Sequence, residues 1–418
     1  MNGLWTAISF IIIFTVIVVS HEFGHYLIGR LNGIGVEEFT IGMGPAIFKK
    51  KGKHTTFAIR LFPIGGACIF KGMGMSDDSE EETTDGLNDK LEEFLARSEN
   101  ADEVESIEEE KRAREKYKKD IESVETVMDE GSDVEVADGV AIAADNYKAI
   151  AFNEAPVWAR ISTVAAGPIF NVILAFLFSI FLCWFCGSDR AELVDVMDGY
   201  PAQAAGLQAG DVITRIDNQK IYVWREISVC SMLNYGETFE IEYERDGQRY
   251  VTTITPQFDE ATNRYYIGFI GGSIPVECKD LSVFKYSLIE VRYWLITTYR
   301  SLLFMFSGHA SVDDLSGPVG IATVIDDTIE ETSQYGVFTV ILNLVNITVL
   351  LSVNLGVLNV LPFPALDGGR LVLLLVEAVT GKKVPPDKEG LFHFIGFVLL
   401  MILMAVVLFN DIFIAISG

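Results

Sequence analysis

Four long, mostly apolar runs, at positions 4–27, 161–185, 337–360 and 391–416, constrain this chain more than any other feature. Each is long enough to cross a bilayer, which takes about 20 residues of helix. Inside lipid every backbone N–H and C=O must be bonded within the structure, so each run is expected to be a membrane helix. A further stretch, 283–306, carries Glu290, Arg292 and Arg300 among aromatics and reads as an amphipathic helix on the surface. The chain is 50% hydrophobic over 418 residues, yet its formal net charge is -26. Apolar bulk and acidic excess therefore belong to different regions. Such acidity does not suit nucleic acid, which leaves the lipid bilayer as the expected surroundings. Cys68, Cys183, Cys186, Cys230 and Cys278 are scattered and odd in number, which argues against a disulfide framework. Cys183 and Cys186 form a CxxC inside an apolar run and read as packed thiols. The first run lacks a basic start and a small-residue cleavage site, so it is expected to be a retained helix.

His21-Glu22-Phe23-Gly24-His25 directly follows the first apolar residues. Residues four apart share a helix face, so both imidazoles can grip one metal with Glu22 beside it. Two imidazoles suit zinc, and the carboxylate can take a proton from water activated by the metal. A lone HExxH is a weak signal. Ionisable groups in a lipid-type segment are costly, however, and read as functional. The placement implies proteolytic chemistry at or inside the membrane.

Lysine and arginine near span ends set orientation. Arg30 and Lys49, Lys50 and Lys51 follow the first span; Lys382, Lys383 and Lys388 separate the third from the fourth. Both termini are therefore expected outside, with the HEFGH end near the cytoplasmic face; Arg190, beyond the second span, is a counter-signal. Residues 38–47 and 55–70 alternate as strands do around the basic turn 49–53. The second closes on Leu61-Phe-Pro-Ile-Gly-Gly-Ala-Cys-Ile-Phe70, where Gly65 and Gly66 suit a bent strand approached closely by another backbone. A plain hairpin without a ligand explains these residues equally well.

Residues 76–138 are strongly acidic and read as a solvated, helical or partly disordered insertion. Beyond the second span, Tyr200-Pro-Ala-Gln-Ala-Ala-Gly-Leu-Gln-Ala-Gly-Asp-Val-Ile213 and the strand-like runs up to Ile270 resemble a PDZ domain of the bacterial protease type. Such a domain binds an extended peptide at a sheet edge. Gating access by bulk alone is an equal reading.

A catalytic zinc takes three protein ligands and an open position. The third is sought in Asn359-Val-Leu-Pro-Phe-Pro-Ala-Leu-Asp-Gly-Gly369, where prolines and paired glycines break the chain and can turn Asp367 to the metal. By itself Asp367 also suits an ordinary turn; beside an intramembrane HExxH, the ligand reading prevails. His54, His309 and His393 are rivals without a comparable motif.

HEFGH, Ala166-Gly-Pro-Ile-Phe-Asn171, the PDZ segment, Leu315-Ser-Gly-Pro-Val-Gly320 and Asn359–Gly369 follow one another in the order of the bacterial site-2 proteases. The chain resembles that family, the RseP/RasP-type intramembrane zinc metalloproteases, over nearly its whole length. It departs from the family pattern in its long acidic insertion and in having a single PDZ segment. The resemblance implies a polytopic α-helical membrane protein of about four transmembrane helices, with a membrane-associated β-hairpin and one extracytoplasmic PDZ domain. The expected division is 1–75 (first helix and hairpin), 76–138 (cytoplasmic insertion), 139–187 (connection and second helix), 188–275 (PDZ), 276–336 (amphipathic helices) and 337–418 (last two helices). It implies Zn2+ on His21, His25 and Asp367, with Glu22 as general base. Asn359 would stabilise the substrate backbone or the oxyanion. Asn171 would pack helices or position substrate. Gly65 and Gly66 would hold the substrate as a strand. Single-span membrane proteins already trimmed by a site-1 protease are the implied substrates, such as anti-sigma factors or remnant signal peptides, and a bacterial cytoplasmic membrane the implied location. A soluble zincin-like peptidase and a non-catalytic PDZ scaffold are the competing classes. Four apolar spans oppose the first, and an intact HExxH with Asp367 opposes the second.

Overall fold

The computed structural model describes residues 2–72, 149–232, 236–260, 264–271, 276–307 and 317–417. The expected acidic insertion and His309 lie outside these residues. In chain order the elements begin with α1 (Asn2–Leu31), β1 (Val36–Lys51), β2 (Thr56–Phe70) and α2 (Val157–Cys186). Next come β3 (Leu193–Val196), α3 (Pro201–Ala204), β4 (Val212–Ile216), β5 (Gln219–Lys220) and α4 (Trp224–Met232). The hairpin strands β6 (Phe239–Arg245) and β7 (Gln248–Ile254) precede β8 (Gln257–Asp259), β9 (Arg264–Tyr266) and β10 (Phe269–Gly271). The chain then runs through α5 (Ser282–Phe306), α6 (Pro318–Ser333), α7 (Val337–Val360), α8 (Asp367–Thr380) and α9 (Pro386–Ser417).

Among the described residues four helices are long and apolar enough to cross a membrane: Gly3–Leu31, Val157–Cys186, Val337–Val360 and Lys388–Asp411. Within the unit formed by residues 1–32, 38–68 and 156–418, α2 is central, touching α1, α5, α7 and α8. Helices in lipid gain little from burying apolar surface against each other, so close approach of small residues counts for more. Gly24 of α1 meets α2 so closely that a Cβ there would stand 2.5 Å from Ala166 O. On its other side α2 shares with α5 and α7 a core of Ala175, Leu182, Val291, Val349 and Val353. Ile13 and Ile17 of α1 pack against Ile325 of α6 and Ile347 of α7.

Between α1 and α2 the chain forms the two-stranded sheet β1–β2. Arg60 ties the strands together, donating to Glu38 Oε1 at 2.7 Å, to Thr40 Oγ1 at 3.0 Å and to Gly44 O at 3.1 Å. The rings of Phe39 and Phe57 lie edge-on to Tyr26 of α1, with centroids 5.6 and 5.9 Å away. These contacts hold the hairpin against the last turns of the first helix. A second compact unit takes in 33–37 and 69–155. In its described part Ile34 bridges Ile150 and Phe70 stacks on Phe152.

Residues 193–271 fold as a small α+β module. Its sheet has the order β5–β4–β6–β7, antiparallel throughout, and β3 pairs with β10. The β6–β7 turn is Asp246-Gly247, both at positive φ (53° and 74°), the backbone a tight hairpin turn demands. Ile213, Ile241 and Ile254 from the sheet and Ile227 from α4 fill its core. The helix α4 lies on α5, joined by crossed ion pairs. Arg225 reaches Glu290 (3.0 Å) and Asp189 (3.1 Å), and Arg292 pairs with Glu226. Burial opposes the charge on Arg225, but its two carboxylate partners outweigh that and raise its pKa further. Along its other face α5 packs on α2 and α7.

At the far end of α9, buried Asp411 accepts from the backbone N–H groups of Gly317 (3.0 Å), Val319 (3.1 Å) and Gly320 (2.9 Å). Those are the open donors at the start of α6, which a carboxylate from a distant helix here satisfies. Asp411→Ala orphans all three and is expected to destabilise the protein by about 1–3 kcal/mol. Thermal unfolding of the purified chain in detergent checks this, with Asp411→Asn falling between; an unchanged Tm for the Ala variant contradicts the capping role.

Candidate metal centre

Helical spacing places His21 and His25 on the same face of α1, and that face is turned to α2. His25 Nε2 lies 3.2 Å from His21 Nε2. Asp367 Oδ2 completes a triangle, 3.0 Å from His21 Nε2 and 3.2 Å from His25 Nε2. Both histidines are buried, at 8% and 7% exposure, and Asp367 is partly so. Among the described residues this is the one grouping of three His, Cys, Asp or Glu side chains with metal-ligand geometry. His54 and His393 stand outside it. The Nδ1 of His393 instead accepts from Ala365 N at 3.2 Å, bracing the loop before Asp367.

Asp367 is delivered by a sharp reversal. The helix α7 ends at Val360, and Leu361–Leu366 fold back before α8 starts at Asp367 itself. A Cβ on Gly368 would collide with the carbonyls of Leu361 and Val360, and one on Gly369 with that of Phe363. Both glycines are therefore required for the turn that presents the carboxylate. Burial raises the pKa of this carboxyl, but the two imidazoles beside it outweigh burial and hold it well below the usual carboxylate range. The ionised form this favours is the one in which a carboxylate can hold a metal. The helix it opens is anchored by Glu377, whose carboxylate is gripped by both terminal nitrogens of Arg160 on α2, one at 3.0 Å. Both side chains are nearly buried, at 7% and 11% exposure. Removing one member of such a pair is far more costly than removing both.

The atoms fit a metal ion. Three ligand atoms about 2 Å from one ion at tetrahedral angles stand roughly 3.3 Å apart, close to the separations found here. Two nitrogens and a carboxylate oxygen are also a catalytic zinc's donor set. His25 Nδ1 donates to Thr163 O at 2.9 Å, which leaves the Nε2 lone pair facing inward. Gly167 makes room for the rings, since a Cβ there would collide with His25 Nε2.

Glu22, about 100° further around α1 than His21, points toward β2 while staying within electrostatic reach of both histidines and Asp367. A Cβ on Gly66 would lie 2.9 Å from Glu22 Cγ, and the Cys68 backbone N–H bonds the Glu22 carboxylate. Gly66 and Cys68, two apart, present one face of the strand to the carboxylate. Gly65 holds φ +83° over Met43 of β1 and does not approach the triangle. Asn359 is buried near the end of α7 and donates to Leu355 O at 3.0 Å. Asn171, expected to pack helices or to meet substrate, is wholly buried with its amide 3.2 Å from His21 Nδ1. Its partner here is the imidazole. The Arg160–Glu377 pair, the Thr163 carbonyl and the His393 brace were missed from sequence. The signal for the first was an arginine, buried here, at the start of an apolar helix.

Gly167→Ala is expected to weaken zinc binding by on the order of tenfold or more while α2 stays helical. Chelator competition and circular dichroism read both, and wild-type affinity would show that the rings do not need this gap.

The Peptidase family M50 model matches residues 9–403. The zinc metalloprotease RasP of Shouchella clausii is 34% identical over 423 residues, spanning 97% of this chain and 98% of the relative. The regulator of sigma-W protease RasP of Bacillus subtilis is 35% identical over 427 residues, with the same two coverages. The PDZ domain of the SdrC-like protein of Listeria monocytogenes is 26% identical over 19% of this chain and 85% of its own, with a TM-score of 0.18. A family match over most of the chain, joined to full-length relatives above 30% identity, places this protein in peptidase family M50, the site-2 proteases.

Proposed function

We propose that this chain is an intramembrane zinc metalloprotease that cleaves within or near the transmembrane segments of single-span proteins. The observation that carries the proposal is the triangle of His21, His25 and Asp367 inside apolar helices. These three are proposed to hold Zn2+. Once bound, the ion would polarise a water and the scissile carbonyl, making a nucleophile available near neutral pH. Glu22 takes the proton of that water as its oxygen bonds to the carbonyl carbon. It then passes the proton to the amide nitrogen as the C–N bond breaks. The Asn359 amide is proposed to turn from Leu355 O and donate to the substrate backbone or the oxyanion.

A transmembrane substrate must unwind before its carbonyl is reachable, and the freed backbone groups need partners. The sheet β1–β2 has two strands among the described residues, so β2 keeps an edge for an added one. Gly66, tight against Glu22, brings that strand past the proposed base, and Gly65 gives it the bend. The lysines of the β1–β2 turn and of 382–388 support a cytoplasmic position for this end of the bundle. The module at 193–271 follows the opposite end of α2. From Asn171 to Cys186 that helix spans about 22 Å at 1.5 Å per residue. We read the module as an extracytoplasmic PDZ domain that screens out bulky substrates. Those that remain are proteins pre-trimmed by a site-1 protease, in the cytoplasmic membrane of a bacterial cell. The sigma-W regulation in one relative's name favours anti-sigma factors among them.

Purified protein is expected to bind zinc as wild type and as Glu22→Gln, while only the wild type cleaves a trimmed single-span substrate and loses that activity to a chelator. Absence of zinc from the wild type would overturn the proposal. Deleting 192–272 is expected to admit untrimmed substrates, and unchanged discrimination would refute gating.

A further inference from the structure

The two histidines are oriented by different kinds of partner. A carbonyl only accepts, so Thr163 O fixes the proton of His25 on Nδ1 and its lone pair on Nε2. His21 Nδ1 faces a carboxamide, which can donate or accept. As placed, Asn171 Nδ2 lies 3.2 Å from His21 Nδ1, and Asn171 Oδ1 is buried without a hydrogen-bond partner. In that arrangement the amide donates and the proton of His21 moves to Nε2. There it points at His25 Nε2 and Asp367 Oδ2, where a ligand needs its lone pair. A half-turn of the amide exchanges its oxygen and nitrogen, which are nearly indistinguishable in shape. The turn breaks no bond made by Oδ1, which has none.

We infer that in the metal-loaded protein Asn171 accepts the Nδ1–H of His21 and so fixes the tautomer in which Nε2 is a ligand. Asn171 is thus a positioning residue, set in place by its own packing. Ser352 donates to its backbone oxygen at 2.8 Å, and a Cβ on Gly356 would lie 3.4 Å from its Cβ. Its exposure is 0%, so α7 holds it against α1 with no space to swing away. The same face of α2 carries Arg160, Thr163, Gly167 and Asn171, spaced three, four and four residues apart. One helix stripe thereby serves all three ligands: Arg160 through Glu377 and the helix of Asp367, Thr163 on His25, Asn171 on His21.

The inference rests on the ligand reading of His21, and the experiment separates the two. Zinc affinity of the purified full chain is measured by chelator competition for wild type, His21→Ala, Asn171→Ala, Asn171→Leu and Asn171→Asp. An accepting role predicts a 10- to 100-fold loss in the Ala and Leu variants. Asp, which when ionised only accepts, should bind on the order of tenfold or more tighter than Ala. A role in packing alone predicts that Leu is tolerated better than Asp, and a role in substrate contact predicts unchanged affinity; either result overturns the inference. Zinc that is lost in His21→Ala but unaffected in Asn171→Ala refutes this inference and leaves the ligand reading standing. Failure of the wild type to bind zinc removes both.

Discussion

Two imidazoles and a carboxylate meet inside helices whose outer faces are apolar, and much of the described bundle answers the cost of putting them there. A polar group in a lipid-type environment must find its partners within the protein. Asp367 faces both histidines, Thr163 O takes the Nδ1–H of His25, and Asn171 faces Nδ1 of His21. Each anchor lies on α2 or is held by it. This helix must therefore approach α1 closely, and Gly24 and Gly167 are the residues that permit it.

The same economy recurs away from the centre. Arg160 and Glu377 are charges buried near an apolar helix end, and each is the other's partner. Asp411 offers its carboxylate to three backbone donors that begin α6. Arg225 and Arg292 cross to Glu290 and Glu226 where the small module meets α5. Broken singly, such contacts leave a buried charge or donor behind. They therefore fix which helix lies against which more sharply than apolar contact does in lipid.

Function follows from asymmetry around α1. One face of the helix carries His21 and His25 toward α2, while Glu22 turns to the glycine-rich strand β2. A metalloprotease of the site-2 family needs ligands held rigidly and a base within reach of substrate. Placing Glu22 next to His21 in sequence, about 100° further around the helix, lets one turn serve both. The strand that touches Glu22 also keeps an unpaired edge among the described residues, so the proposed general base stands beside the proposed seat of the substrate.

The sequence alone determined the elements whose signals are local. Apolar length marked the four spans, the i, i+4 spacing of His21 and His25 marked a shared helix face, and paired glycines marked the reversal before Asp367. Family order then tied these to a metalloprotease. Tertiary structure decided what depends on distant partners. Nothing near Arg160 indicates Glu377, 217 residues away. Nothing near Asn171 indicates His21, and nothing near Asp411 indicates the start of α6. Periodicity reports which face of a helix is apolar, but the identity of the neighbour on the other face is set only when the chain packs. For that reason the three residues of the triangle were legible in the sequence, while the groups packed around them were not.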